Sequence, residues 1–237
     1  MTANQLKIIA IIGMTMNHTV YAFREFLPLW LMLVLNAGGG LTFPLMAFFL
    51  NEGFQKTSNL RKYFLRIFAF ALVSQLPFIL ALRVQFYVLN ILFTLVICLF
   101  MLWLCDRYPR LLSPLILVNA ILFALPVPVF FDWGFIGILI VLLYKLPLKE
   151  SLRHILPGLV AGAAIFYTNL SRVLNANNPS DFAVGLLTFS IGSVVAAFLL
   201  LLYKGKRGKG SKYLFYVYYP GHLMLLFFIR EIINYFR

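Results

Sequence analysis

Residues 5–24 read QLKIIAIIGMTMNHTVYAFR. Apolar side chains fill this run for the length of a bilayer crossing, which takes about 20 residues, yet Asn17 and His18 stand side by side in its second half. An imidazole inside a membrane span is costly to bury, so it faces a protein interior or a wet cavity and acts there. The run therefore predicts a membrane-crossing helix and marks where to look for chemistry.

The rest of the chain repeats the signal. Of 237 residues, 62% are hydrophobic and 11% charged, whereas about a quarter of a soluble domain is charged. Apolar runs predict nine spans, at 6–23, 27–50, 63–82, 87–104, 111–129, 134–148, 155–174, 182–203 and 213–235. The sixth is short and must tilt or lean on neighbours, and Gly38, Gly39, Gly40 and Pro44 should bend or open the second. No polar block is large enough to fold alone, so the expected fold is all-α: one polytopic transmembrane helix bundle over 1–237, with any active site among its helices. The first span has neither a charged region before it nor a small-residue cleavage pattern after it, which predicts a retained helix and not a signal peptide.

Charge separates the connecting segments. Those after even-numbered spans carry Lys56, Arg61, Lys62, Arg107, Arg110, Lys145, Lys149, Arg153 and the basic stretch 204–212, KGKRGKGSK. Those after odd-numbered spans hold little beyond Arg24, Arg83 and Arg172, with Glu25, Asp132 and Asp181. The positive-inside rule then predicts a multi-pass protein of the cell inner (cytoplasmic) membrane, with its N-terminus in the cytoplasm and its C-terminus outside. The net charge of +13 punctuates hydrophobic spans instead of forming one face, which argues against a nucleic-acid partner and for membrane lipid. Residues 204–212 read as a topology determinant drawn to anionic headgroups, or as cations for an anionic cofactor such as coenzyme A. Cys98 and Cys105 are badly spaced for a disulfide or a metal, and no metal site is expected. Walker-type and dinucleotide glycine patterns are missing from the sequence, as are repeats of helix-pair length.

The side chains that could carry chemistry follow from depth. At a rise of 1.5 Å per residue, His18 lies about 18 Å into the membrane core and His222, counted from the same side, about 14 Å. Pro220 and Gly221 can bend the last helix, so the two histidines are expected to share a cavity. His154 falls in a basic loop, where a solvated role is expected. Asp132, in the stretch FDWGF, is placed at the outer mouth, where it could orient an imidazole, attract an amine or simply be solvated. Glu52, Lys56, Arg61 and Arg66 gather at the inner edge of the second and third spans, either as an ion-pair cluster or as a phosphate-binding rim. Ser74, Gln75, Asn90 and Thr94 read as interhelical hydrogen-bonding groups.

The opening LKIIAIIGMTMNH, the long stretch FPLMAFFLNEGFQKTSNLRKYFLRIFAFALVSQLPF, then LNILFT, DWGFIG and the closing FYVYYPGHLMLL resemble, in order and spacing, the TraX family. That family includes the F-pilin N-terminal acetylase and is placed with membrane acyltransferases of the acyltransferase-3 type. The resemblance covers nearly the whole chain. It commonly has Asp where this chain has Asn17, and Gly-Arg ahead of the Phe-Pro pair where this chain has Leu41 and Thr42. What it implies is acetyl transfer from acetyl-coenzyme A to a pilin or other exported peptide, with His18 matching the catalytic histidine; on that hypothesis Asn17 or His222 polarises or orients, and the rim of Glu52, Lys56, Arg61 and Arg66 read above would bind the cofactor. Two other expectations stand beside it: O-acetylation of a surface sugar or lipid headgroup, and a transporter or assembly scaffold without catalysis.

Overall fold

The computed structural model describes residues 1–125, 127–177, 179–210 and 214–237. The predicted loop residue Lys212 and the predicted first residue of the last span, Tyr213, lie outside them. Among the described residues the architecture is helical: α1 Ala3–Phe23, α2 Leu29–Gly39, α3 Thr42–Lys56, α4 Leu60–Leu82, α5 Ile91–Arg107, α6 Leu112–Ala124, α7 Gly134–Leu143, α8 Glu150–Leu174, α9 Asp181–Gly185, α10 Phe189–Leu201 and α11 Leu214–Tyr235. Short 3-10 turns, Pro109–Leu111 and Leu186–Thr188, precede α6 and α10.

Four segments, Ala3–Phe23, Leu29–Lys56, Leu60–Leu82 and Asp181–Leu201, are long and apolar enough to cross a membrane. The molecule is an all-helical bundle with several helices of membrane-spanning character. The helix starts follow local rules. Thr2 and Gln5 form a capping box on α1, Thr2 Oγ1 accepting from Gln5 N–H at 3.4 Å and Gln5 Oε1 accepting from Thr2 N–H at 2.8 Å. Asn59 and Asn90 cap α4 and α5 by accepting from Lys62 N–H and Leu92 N–H. Asn90 thus starts its helix instead of lying within it, and it still joins α4 to α5 through Ala71 O at 2.8 Å and Gln75.

The predicted second span is broken where its glycines lie. α2 ends at Gly39 and α3 begins at Thr42, and Pro44 falls in the first turn of α3, where its missing N–H has no helical acceptor to lose. The glycines at the break also permit contact. A Cβ on Gly40 would strike the carbonyl oxygen of Phe189, and one on Gly192 that of Ala37, so α10 lies directly on the α2–α3 junction. Close backbone approach through small residues is how apolar helices pack where water supplies no driving force.

α7 is the centre of the bundle. All its residues except Phe135 are buried, and it packs against α3, α5, α6 and α8. Ten residues rise only about 15 Å, half a bilayer core, so this element leans on its neighbours and does not cross alone. Leu125 and residues 127–129, expected to extend the fifth span, lie outside the helix: Leu125 is extended, as a residue before proline prefers. α8 starts earlier than expected, which corrects the reading of His154. That side chain is buried on α8 against the edge of the Phe48 ring, with centroids 5.1 Å apart, and is no solvated loop histidine.

At the far end of α11, Arg230 is 3% exposed and donates to the last carbonyls of α4, Ala81 O at 2.6 Å and Leu80 O at 2.8 Å. These orphan acceptors carry the negative end of the helix dipole. α11 is thereby fixed along α4 and, through the contacts below, against α1.

Candidate active site

His18 and His222 meet. Nδ1 of His18 lies 2.7 Å from Nε2 of His222. The rings are parallel to within 8° with centroids 5.0 Å apart, the spacing of an edge-to-edge N–H···N bond. Both are more than nine-tenths buried. The contact is set by helix spacing: Thr15, one turn before His18, accepts from the hydroxyl of Tyr218 at 2.7 Å while donating to Ile11 O, and Tyr218 precedes His222 by one turn.

One further bond fixes the protons. Nδ1 of His222 is 2.9 Å from the carbonyl oxygen of Tyr218, an atom that only accepts, so this nitrogen carries hydrogen. In a neutral ring Nε2 of His222 is then an acceptor, and Nδ1 of His18 donates to it. Among the described residues the lone pair on Nε2 of His18 has no partner, on a residue that lines the main cavity. His222 does not line it and stands behind His18. The arrangement is a base held by an orienting partner, in the order used when a second group sets a histidine tautomer.

That cavity has a volume of about 690 Å³ and runs along α1 from Lys7 past His18 to Tyr21. At its Lys7 end it joins a smaller vestibule of about 230 Å³, the two sharing Lys7, Phe49, Tyr63 and Tyr216. Lys7, Arg66, Arg207 and Lys209 bring four cations to the vestibule. The guanidinium of Arg66 sits between the Tyr63 and Tyr216 rings, 5.4 and 5.3 Å from their centroids, and its Nε donates to the Tyr216 hydroxyl. The basic linker is strapped to α1: Ala3 N–H donates to Lys206 O at 2.9 Å and Asn4 N–H to Arg207 O at 3.1 Å. Two orphan donors of the first turn are satisfied, and Arg207 and Lys209 are held at the opening.

The predicted residues divide between these places. Of the four expected near the cofactor, Arg66 alone lines the vestibule. Lys56 pairs with Glu52 at 2.8 Å, Glu52 also accepts from the Tyr203 hydroxyl at 2.6 Å, and Arg61 is exposed. Glu52 and Lys56 form the ion-pair alternative, and Arg61 joins neither that pair nor the vestibule. Lys7 was missed because it sits inside an apolar run, and Tyr63 and Tyr216 because aromatic residues are everywhere in this chain. Asn17 lines the cavity and donates to Asn36 Oδ1 at 3.2 Å, which orients it beside His18.

Asp132 lines the other end of the cavity. It is half-buried on the cavity wall, and burial pushes its carboxyl up to about 6, against the opposing pull of a hydrogen bond from Trp133 N–H. The loop is held to the start of α5, Asp132 N–H donating to Leu89 O at 2.9 Å and Thr94 Oγ1 donating to Asp132 O. Trp133 adopts φ 64, a left-handed conformation that is strained for a bulky residue, and stacks on Phe43 with centroids 4.1 Å apart.

A family model described as TraX protein matches residues 2–230. A probable fimbrial assembly protein FimC, serogroup H1, of Dichelobacter nodosus is 32% identical over 240 residues, which cover 95% of this chain and 94% of that protein. No solved structure matches the chain.

Proposed function

The chain belongs to the TraX family, and on that premise we propose that it moves an acetyl group from acetyl-coenzyme A to the amino terminus of a pilin or another exported peptide. The likeness to a fimbrial assembly protein supports a pilus-related role. The observation that carries the reading is the free Nε2 of His18, on a cavity that begins in a cationic vestibule.

The residues present fit a coenzyme A thioester. Phosphates need charge-assisted donors, and Lys7, Arg66, Arg207 and Lys209 supply them, with Arg66 held in place by the Tyr63 and Tyr216 rings. From Lys7 to His18 the cavity follows eleven residues of helix, about 16 Å. The pantetheine arm, as long as about four extended peptide residues, spans roughly 14 Å. When bound, acetyl-coenzyme A supplies an activated acetyl carbon. His18 takes the proton from the attacking nitrogen at Nε2, and His222 holds the ring in the tautomer that leaves Nε2 free and steadies the positive charge that follows. His222 is a positioning residue in this scheme, since it touches His18 and not the cavity. The burial of His18 keeps bulk water from competing with the acceptor.

In the same reading the chain crosses the cell inner membrane nine times, with the vestibule and the N-terminus in the cytoplasm, where acetyl-coenzyme A is found, and the Asp132 end towards the other face. The loop charges support this orientation. A hydroxyl acceptor on a sugar or lipid headgroup is the second reading, since the same base serves it.

The test is calorimetry of acetyl-coenzyme A with the detergent-purified protein. Micromolar binding is expected, retained in His18→Ala while thioester turnover is lost, and weakened about tenfold or more in Arg66→Ala and Arg207→Ala. A folded wild-type protein that binds no acetyl-coenzyme A overturns the reading and leaves a transporter or scaffold.

A further inference from the structure

The cavity does not stop at His18. Beyond it lie Tyr21, Asp132 and, at the rim, the exposed Arg172. Among the described residues no cation lies within ion-pair distance of the Asp132 carboxylate, although the loop fixes it on the cavity wall. A half-buried carboxylate on a cavity wall without a counter-ion is under-compensated, and a cation brought to it recovers part of that loss.

The rim says how such a cation arrives. Leu125, Val127 and Val129 line the cavity and are also exposed, at 51%, 36% and 42%. They follow α6, whose one buried residue is Asn119 and which packs on α7 and on the turns before it, with α8 across the cavity. An opening edged by bare apolar side chains is unfavourable against water and compatible with hydrocarbon.

We propose that the Asp132 end of the cavity is the acceptor site, and that it takes a primary ammonium carried at the end of an apolar, membrane-embedded chain that enters past Leu125, Val127 and Val129. This rests on the acetyl-transfer reading and adds to it the group that binds the acceptor, Asp132, and the acceptor's route of entry. The bound ammonium loses one proton to solvent. Its nitrogen then forms a bond to the acetyl carbon as the carbon–sulfur bond breaks, and a second proton leaves through Nε2 of His18 to the departing thiolate. The products are an amide, a thiol and one released proton. A hydroxyl acceptor brings no charge and gains little from Asp132.

The experiment uses the full chain in proteoliposomes with acetyl-coenzyme A and three acceptors: a synthetic peptide with a free amino terminus on about 20 apolar residues, a short soluble peptide with the same first residues, and the long peptide with a terminal hydroxyl in place of the amine. The long amine is expected to have a KM about tenfold or more below that of the soluble one. Asp132→Asn is expected to raise the KM of the long amine about tenfold with a smaller change in kcat, Asp132→Glu to recover part of it, and the hydroxyl analogue to be indifferent to Asp132. Equal KM values for long and soluble amines, or an Asp132→Asn enzyme that handles the long amine like the wild type, overturn the inference. Wild-type binding of acetyl-coenzyme A, measured alongside, separates the two failures: if binding is lost the acetyl-transfer reading falls, and if binding holds only the acceptor site falls.

Discussion

The lone pair on Nε2 of His18 is free only while His222 accepts the hydrogen on Nδ1, and this orders the variants of His222. His222→Gln, whose amide oxygen can accept the same hydrogen, should keep more thioester turnover than His222→Leu, which should lose about 100-fold or more. The pH–rate profile checks it: the acidic limb, where the base is lost to protonation, shifts in the leucine variant, and a packing role alone leaves it in place. Asp132 gives a stability prediction of opposite sign from an ordinary ion-paired aspartate. Its carboxyl rises from 3.8 to about 6, so the fold holds that proton more tightly than the unfolded chain. The contribution is full below about pH 4 and is lost as pH rises through about 6, roughly 3 kcal/mol in all. With Tyr21, Tyr219 and Arg172 the other titratable groups on that wall, Asp132→Asn should melt above the wild type at pH 8 and match it near pH 4, by thermal unfolding in detergent. The histidines were legible in the sequence because depth along a helix is a simple count. The vestibule was not, because Lys7 and Arg66 are brought together with Arg207 by a fold that joins the first helix to a linker about 200 residues later, and no local pattern encodes that.

Helix packing turns on positions with no side chain. Gly192→Ala places a methyl group against the carbonyl oxygen of Ala37, backbone that cannot swing aside. The variant should lose about 1–3 kcal/mol and melt several degrees lower, and Gly205→Ala, with open space around it but φ 68, should fall by less. The break between α2 and α3 was legible from three consecutive glycines and Pro44. The short α7 and the apolar loop residues 127–130 were not fully so. Hydropathy does not distinguish an apolar strand of loop from an apolar helix, and the signal that could have separated them was the proline spacing after Leu125.

For the molecule as a whole, the charge asymmetry of the loops and the two ends of the cavity make one joint prediction. Cys98 and Cys105 are buried, so an introduced cysteine reports its own exposure with little background. In intact spheroplasts an impermeant thiol reagent should label Arg172→Cys and spare Arg207→Cys, and in inverted vesicles the pattern should reverse. Labelling of both from one face would reject an orientation in which donor and acceptor come from opposite sides. Acetyl-coenzyme A binding should also weaken with added salt, since the vestibule is partly open to solvent and screened charges attract less.

The bond between His18 and His222 joins residues 204 positions apart, on the first and last long helices. A ribosome adds about 5–20 residues per second, so the base is made roughly 10–40 s before the partner that orients it. The linker that strings Arg207 and Lys209 across the start of α1 is also translated late. A half-made chain in the membrane therefore has neither a finished mouth nor a tuned imidazole. If the chain transfers acetyl groups as proposed, that chemistry would wait for the closing helix, and the order of synthesis would spare the donor from idle hydrolysis by unfinished copies.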